Sequence, residues 1–190
     1  MLDKLRLVGI GKSFFLAGIF LLASAPFISS IFFLLSLAVS FYIGLPKICK
    51  DKWNYPLALV AFIMLVVSLI HNVYYINIDT EIKEKIFLWN PSASWLGLAN
   101  WLPLFFCFMG FQEFLSNKKD RKICAQYLVA GSLPVLITGF GQYFFDWHGP
   151  LQTFNKLIVW FQYPLEEGQG LEGLFSNQNY AGCWLNIIWP

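Results

Sequence analysis

The chain has 190 residues, of which 57% are hydrophobic, 19% aromatic and only 13% charged. A soluble domain carries about 25% charged residues, and the apolar residues here come in long uncharged runs, which excludes an ordinary water-soluble core and points to a polytopic membrane protein. The net charge of +2 and the lack of a long basic tract give no reason to expect a nucleic-acid partner.

The four cysteines, Cys49, Cys107, Cys124 and Cys183, are scattered. They form no C-x-x-C and no Cys/His zinc spacing, so they read as small apolar side chains in or beside helices. No metal or cofactor is expected.

Met1 to Ser13 is a basic leader with Lys4, Arg6 and Lys12. Its junction with the next residues imitates a secretory signal, with Ala23-Ser24-Ala25 as a cleavage-like triplet. Pro26 follows at once and a second apolar run continues, so the segment reads as uncleaved. Phe14 to Leu45 is long for one ~20-residue span and short for two. Lys47, Lys50 and Lys52 come next. A hairpin bent near Pro26 keeps both basic segments on the cytoplasmic side, and the positive-inside rule favours it.

Pro56 to Ile76 is the next span, with Trp53 and Tyr55 at one end and Tyr74 and Tyr75 at the other, as an interfacial aromatic belt. His71 near its outer end reads as an interfacial histidine rather than a proton relay. Asn77 to Ser94 is an outer loop whose Asp79, Glu81 and Glu84 alternate with Lys83 and Lys85, a solvated charge cluster. Trp95 to Leu115 returns inward, with Pro103 as a kink and Glu113 near the inner interface. Lys118, Lys119, Arg121 and Lys122 give the strongest inside signal. Ile123 to Phe145 then runs outward, made irregular by Gly131, Pro134, Gly139 and Gly141. Of the 13 basic residues, only Lys83, Lys85 and Lys156 fall in segments placed outside.

Asp146 to Ser176 is the second outer loop. Pro150 is positioned to open a short amphipathic helix, with Leu151, Phe154, Leu157, Ile158 and Phe161 on one side. It would lie on the outer leaflet or pack on the bundle. Glu166, Glu167 and Glu172 follow, facing a sugar, a cation or water, with water preferred. The expected fold is all-α: a polytopic transmembrane helix bundle of about five spans plus the start of a sixth, as one domain over 1–190.

The last stretch is the most informative. Gly173, Leu174, Phe175, Ser176, Asn177, Gln178, Asn179, Tyr180 and Ala181 form a polar loop entering an apolar helix. Asn177 is placed to cap that helix, with Gln178 and Asn179 as its first two residues. Asn177→Ala should weaken the helix by ~1 kcal/mol, whereas Gln178→Pro should be tolerated or mildly stabilising. Asn179, Cys183, Asn186 and Pro190 share one face, which in a membrane turns toward other helices or a hydrated cavity. From Gln178 to Pro190 the helix rises roughly 20 Å at ~1.5 Å per residue. That is short of a ~30 Å hydrocarbon core, so the chain is expected to be the N-terminal part of a longer protein.

This stretch resembles a motif of the O-antigen ligase and O-antigen polymerase superfamily: a glycine, an aromatic, then Asn-Pro-Asn opening a helix, with a small residue soon after. Gly173, Phe175, Asn177, Asn179 and Ala181 match, while Gln178 stands where the family usually has proline. Asn100-Trp101-Leu102-Pro103 leading to Phe111-Gln112 adds a weaker likeness. The resemblance implies an inner-membrane glycosyltransferase with a cytoplasmic N-terminus. Its donor would be a polysaccharide on polyprenyl diphosphate, its acceptor lipid A-core or another glycan on the periplasmic face, and its other partners membrane lipids. It needs no metal. Substrate contacts are expected at Asn177, Asn179 and Glu172.

The chemistry requires cations to stabilise the diphosphate and a base for the acceptor hydroxyl. Past Ile123 the chain offers only Lys156 as a basic side chain and His148 as a histidine, which reads as interfacial beside Trp147. The catalytic residues are therefore unassigned, and residues 1–190 alone are expected to be inactive. The alternative is a transporter or flippase-like protein for lipid-linked glycans, without catalysis; a third is a small membrane-assembly subunit.

Overall fold

The computed structural model describes residues 2–77, 92–153, 155, 158–166, 168, 170–175 and 177–189. The charge cluster Asp79 to Lys85, Lys156 and Glu167 lie outside them. The chain is helical apart from one small hairpin. Its helices are α1 Leu2–Leu21, α2 Pro26–Lys50, α3 Tyr55–Asn77, α4 Ser92–Phe111, α5 Lys118–Ala130, α6 Leu133–Phe145 and α7 Gln178–Ile188. Short 3-10 turns occupy Lys52–Asn54 and Gln112–Leu115. Four described segments are long and apolar enough to cross a membrane: Pro26–Lys50, Lys52–Ile70, Ala93–Leu115 and Lys118–Phe145. The charged first half of α1 keeps it out of that set.

The residues group into two compact units, 1–39 with 114–190, and 40–113. In the first unit, the break at Pro26 is where the sequence places it. Leu22 to Ala25 form the turn, and Pro26 opens α2 at a position where its missing N–H costs nothing. The two arms approach closely through small residues. Ser29 Oγ donates to the Gly18 carbonyl at 2.8 Å and Ser36 Oγ to the Gly11 carbonyl at 2.9 Å. Both serines are fully buried. Across apolar helices such pairings replace the hydrophobic drive that lipid does not supply.

Helix α1 also packs along α5. Lys12 forms an ion pair with Asp120 near the start of α5, and Gly131 sits against the backbone of Phe20 at its far end. The two helices therefore run in the same direction, and both basic segments lie at one end of this unit. The span expected over Ile123 to Phe145 is divided: α5 starts early, at Lys118, capped by Asn117, whose side chain accepts from Asp120 N at 2.8 Å. Gly131 and Ser132 then interrupt it, and Pro134 restarts the helix in its first turn.

The amphipathic helix expected after Pro150 is absent. In its place β1 Leu151–Thr153 and β2 Ile158–Trp160 pair antiparallel, with Leu151 opposite Trp160 and Thr153 opposite Ile158. Two causes are visible. Asn155 takes a left-handed conformation, φ 58°, which ends any helix there. The β-branched Thr153, Ile158 and Val159 favour the pleated arrangement. The Gly149–Pro150 peptide is cis, and Gly149 N donates to the Gln162 carbonyl at 2.7 Å just beyond the paired strands.

In the second unit α3 packs on α4, with Ser68 Oγ reaching the Ser94 carbonyl at 3.3 Å. Ser40 Oγ donates to the Gly110 carbonyl. Pro103 lies inside α4. Glu113 does meet a charge: Lys47 Nζ is 2.7 Å away. Gln112, part of the weaker family likeness, donates to Asn54 Oδ1 at 3.0 Å, while Asn54 donates to the Ile48 carbonyl at 2.9 Å. These are contacts that tie chain turns together.

Candidate functional site

The segment from Gly149 to Phe175 folds onto α6 rather than lying clear of it. Gln142, in the apolar run of α6, organises it. Its Nε2 donates to the Tyr163 carbonyl at 2.9 Å, and its Oε1 accepts from Glu172 N at 3.1 Å and Gly173 N at 3.4 Å. One turn earlier, the Thr138 carbonyl accepts from Gln162 Nε2 at 3.0 Å. Both glutamines are almost wholly buried, at 2% and 1% exposure. Gly173 has φ +57°, and its backbone lies against the Val135 carbonyl. A side chain there would be strained by the conformation and crowded by α6.

A buried apolar cluster of Ala23, Val135 and Leu174 lies beneath, with Trp160, Phe175 and Trp184 packed on it. The indole of Trp160 donates to the Ser24 carbonyl at 2.6 Å, and that of Trp184 to Ser132 Oγ at 3.0 Å. Two open spaces flank the cluster. A crevice of about 70 Å³ runs between α6 and α7, lined by Leu136, Gly139, Phe140, Ala181 and Leu185. A groove of about 370 Å³ lies between the α1–α2 turn and β2, lined by Pro26, Phe27, Ile158, Trp160 and Phe175.

The three substrate residues expected from the sequence occupy different settings. Asn177 is the N-cap of α7: its backbone is extended and its side-chain oxygen accepts from Asn179 N at 2.8 Å. That oxygen is therefore committed to the helix, satisfying one of its orphan donors. Asn179 is exposed, and its side chain makes no hydrogen bond to another described residue. Glu172 is half-buried and turned inward: its Oε2 accepts from Tyr163 N at 3.2 Å. It belongs to the loop's internal bonding through Gln142 and Tyr163.

Gln178 opens α7, and its side chain also accepts from Gly170 N. Proline at this position would gain pre-organisation worth about 0.4–1 kcal/mol but lose a bond worth about 1 kcal/mol. The expected gain from Gln178→Pro is thereby cancelled. His148 is exposed, with Nδ1 2.9 Å from the Asp146 carbonyl. Among the described residues no group of three or more His, Cys, Asp and Glu side chains is arranged to hold a metal ion.

Sequence reasoning missed Gln142, Gln162 and the two indole bonds. A signal existed for the first. A lone amide inside Leu133–Phe145 must face protein or water, since lipid offers it no partner. No family model, no curated protein and no solved structure matches this chain.

Proposed function

We propose that this chain is part of a membrane glycosyltransferase of the O-antigen ligase or polymerase kind. It takes polysaccharide from a polyprenyl-diphosphate carrier and passes it to lipid A-core or another glycan at the periplasmic face of the inner membrane. The observation that supports this most is the conformation of the motif-bearing stretch. Gly173 adopts the left-handed turn, Asn177 caps the helix, and Asn179, in its first turn, carries an exposed amide side chain. Those positions carry the sequence likeness. Asn179 is the residue assigned to the glycan, and Asn177 acts by holding the helix start.

The orientation in this reading puts the N-terminus in the cytoplasm. The pairing of Lys12 with Asp120 supports it, because the leader and the cluster Lys118 to Lys122 then share one side. The carrier's diphosphate and its isoprenoid tail are the partners, with membrane lipids around them.

Paired substitutions separate the two asparagine roles. Asn177→Ala should cost ~1 kcal/mol of stability through the lost cap. Asn179→Ala is an exposed change and should leave the stability within about 0.5 kcal/mol of the parent. In cells, Asn179→Ala should nevertheless raise the pool of lipid-linked glycan. A variant at Asn179 that alters neither stability nor that pool argues against a substrate role.

A further inference from the structure

We propose that the turn joining α2 to α3 binds an anionic phospholipid, with the headgroup phosphate held by Lys50 and Lys52 and an acyl chain laid along the end of α2. The inference concerns the second unit only and holds whatever chemistry the protein performs.

The turn concentrates positive charge. Lys47, Lys50 and Lys52 stand close together, with Asp51 as the one carboxylate among them. Lys47 is paired with Glu113 at 2.7 Å. Lys50 and Lys52 are exposed and form no ion pair among the described residues. Asp51 is occupied by the backbone: its Oδ1 accepts from Trp53 N at 3.0 Å and so caps the 3-10 turn. The turn is also stiff. Asn54, buried at its centre, donates to the Ile48 carbonyl at 2.9 Å and accepts from Gln112 Nε2 at 3.0 Å. Cations mounted on a pre-ordered turn lose less freedom on binding than cations on a loose loop. A cleft of about 570 Å³ lies beside them, lined by Pro46, Lys47, Lys50 and Asp51.

The surroundings identify the ligand as a lipid rather than a free phosphate. The segments on both sides of the turn, Pro26–Lys50 and Lys52–Ile70, are long and apolar enough to cross a membrane. A turn between two such segments falls at the level of the headgroups. Trp53 is 84% exposed and Tyr42 81%, and Leu45 and Tyr55 are exposed as well. Tryptophan and tyrosine favour that level, where one side of the ring meets chains and the other meets water. Tyr42, Leu45 and Pro46 are spaced to share one face of α2, which gives an apolar track leading to the cleft. A lysine near an anionic lipid surface is worth about a five-fold preference. Because Asp51 shares the lining, a headgroup with hydroxyls beside its phosphate fits best. The phosphate goes to the ammonium groups and a hydroxyl donates to the carboxylate. Phosphatidylglycerol has this chemistry.

Native mass spectrometry of the full chain tests this, after extraction from bilayers of equal phosphatidylglycerol and phosphatidylcholine. The parent should retain phosphatidylglycerol in clear excess. Lys50→Gln with Lys52→Gln should lower that excess by at least about five-fold, while Lys50→Arg with Lys52→Arg should keep it. Lys118→Gln with Lys119→Gln removes the same charge from another exposed basic segment and should leave the excess within about two-fold of the parent. Brominated phosphatidylglycerol should quench a share of the tryptophan fluorescence that is missing in Trp53→Phe. Equal retention of the two lipids by the parent would overturn the proposal. An equal fall in both glutamine pairs would also overturn it, by showing attraction spread over all basic segments instead of a site at this turn. Quenching unchanged by Trp53→Phe would remove the lipid from the turn.

Discussion

Gln142→Leu should destabilise the protein by about 3 kcal/mol, the largest effect expected of any single exchange described for this chain. Leucine fills much of the same volume, so packing changes little. What changes is the fate of three backbone groups. The Tyr163 carbonyl and the N–H groups of Glu172 and Gly173 all bond to Gln142, and each stranded buried group costs about 1–3 kcal/mol. Some regain water as the loop loosens, which holds the total below the full sum. Gln142→Glu keeps the two acceptor contacts but buries a carboxylate and sets an oxygen against the Tyr163 carbonyl, so it should also destabilise. Thermal melting in detergent micelles reads both, and limited proteolysis should show the 161–175 segment opening first. A leucine variant within about 0.5 kcal/mol of the parent would show that the loop is held by something else.

Gly131→Ala should cost about 2 kcal/mol, for a different reason. The backbone at Gly131 is ordinary, φ −64°, so alanine is not conformationally strained there. Its methyl group would instead meet the carbonyl of Phe20 well inside contact distance. That neighbour is backbone, which cannot swing aside as a flexible side chain can. Helices α1 and α5 would have to separate, and overpacking of this kind costs about 1–3 kcal/mol. Gly9→Ala, in α1, is the control, since nothing lies within 4 Å of its added carbon. There the better helix propensity of alanine should give up to about 1 kcal/mol of stabilisation. Opposite signs at the two glycines, in the same melting assay, identify close helix approach as the cause.

Local chemistry made part of this legible in advance. Long apolar runs mark α2, α3 and α4. Pro26 marks the hairpin, because it cannot continue a helix but starts one well. Asn177 marks the start of α7, because a cap is a matter of two or three neighbouring residues. The loop after Pro150 was misread because a one-sided apolar spacing over a short stretch fits a helix and a twisted hairpin alike. Asn155 in its left-handed conformation and the β-branched Thr153, Ile158 and Val159 decide between them. Of the site's internal bonding only the lone amide of Gln142 was signalled, and its partners were not. Gln142 with Glu172, Trp160 with Ser24 and Trp184 with Ser132 join residues far apart in sequence, and no local pattern announces such partners. The same distance explains why the bond from Tyr163 N to the Glu172 carboxylate was not foreseen.

The reading of the chain as a glycan transferase rests most directly on the donor pool. The measurement is mass spectrometry of polyprenyl-diphosphate-linked glycan in cells whose copy of the encoding gene has been removed, alongside the surface polysaccharide of the same cells. The account predicts that the lipid-linked glycan accumulates on the periplasmic leaflet while the mature surface polymer is lost or shortened, and that restoring the gene reverses both. Unchanged lipid-linked and surface glycan would contradict it, and accumulation confined to the cytoplasmic leaflet would assign the chain to transport instead.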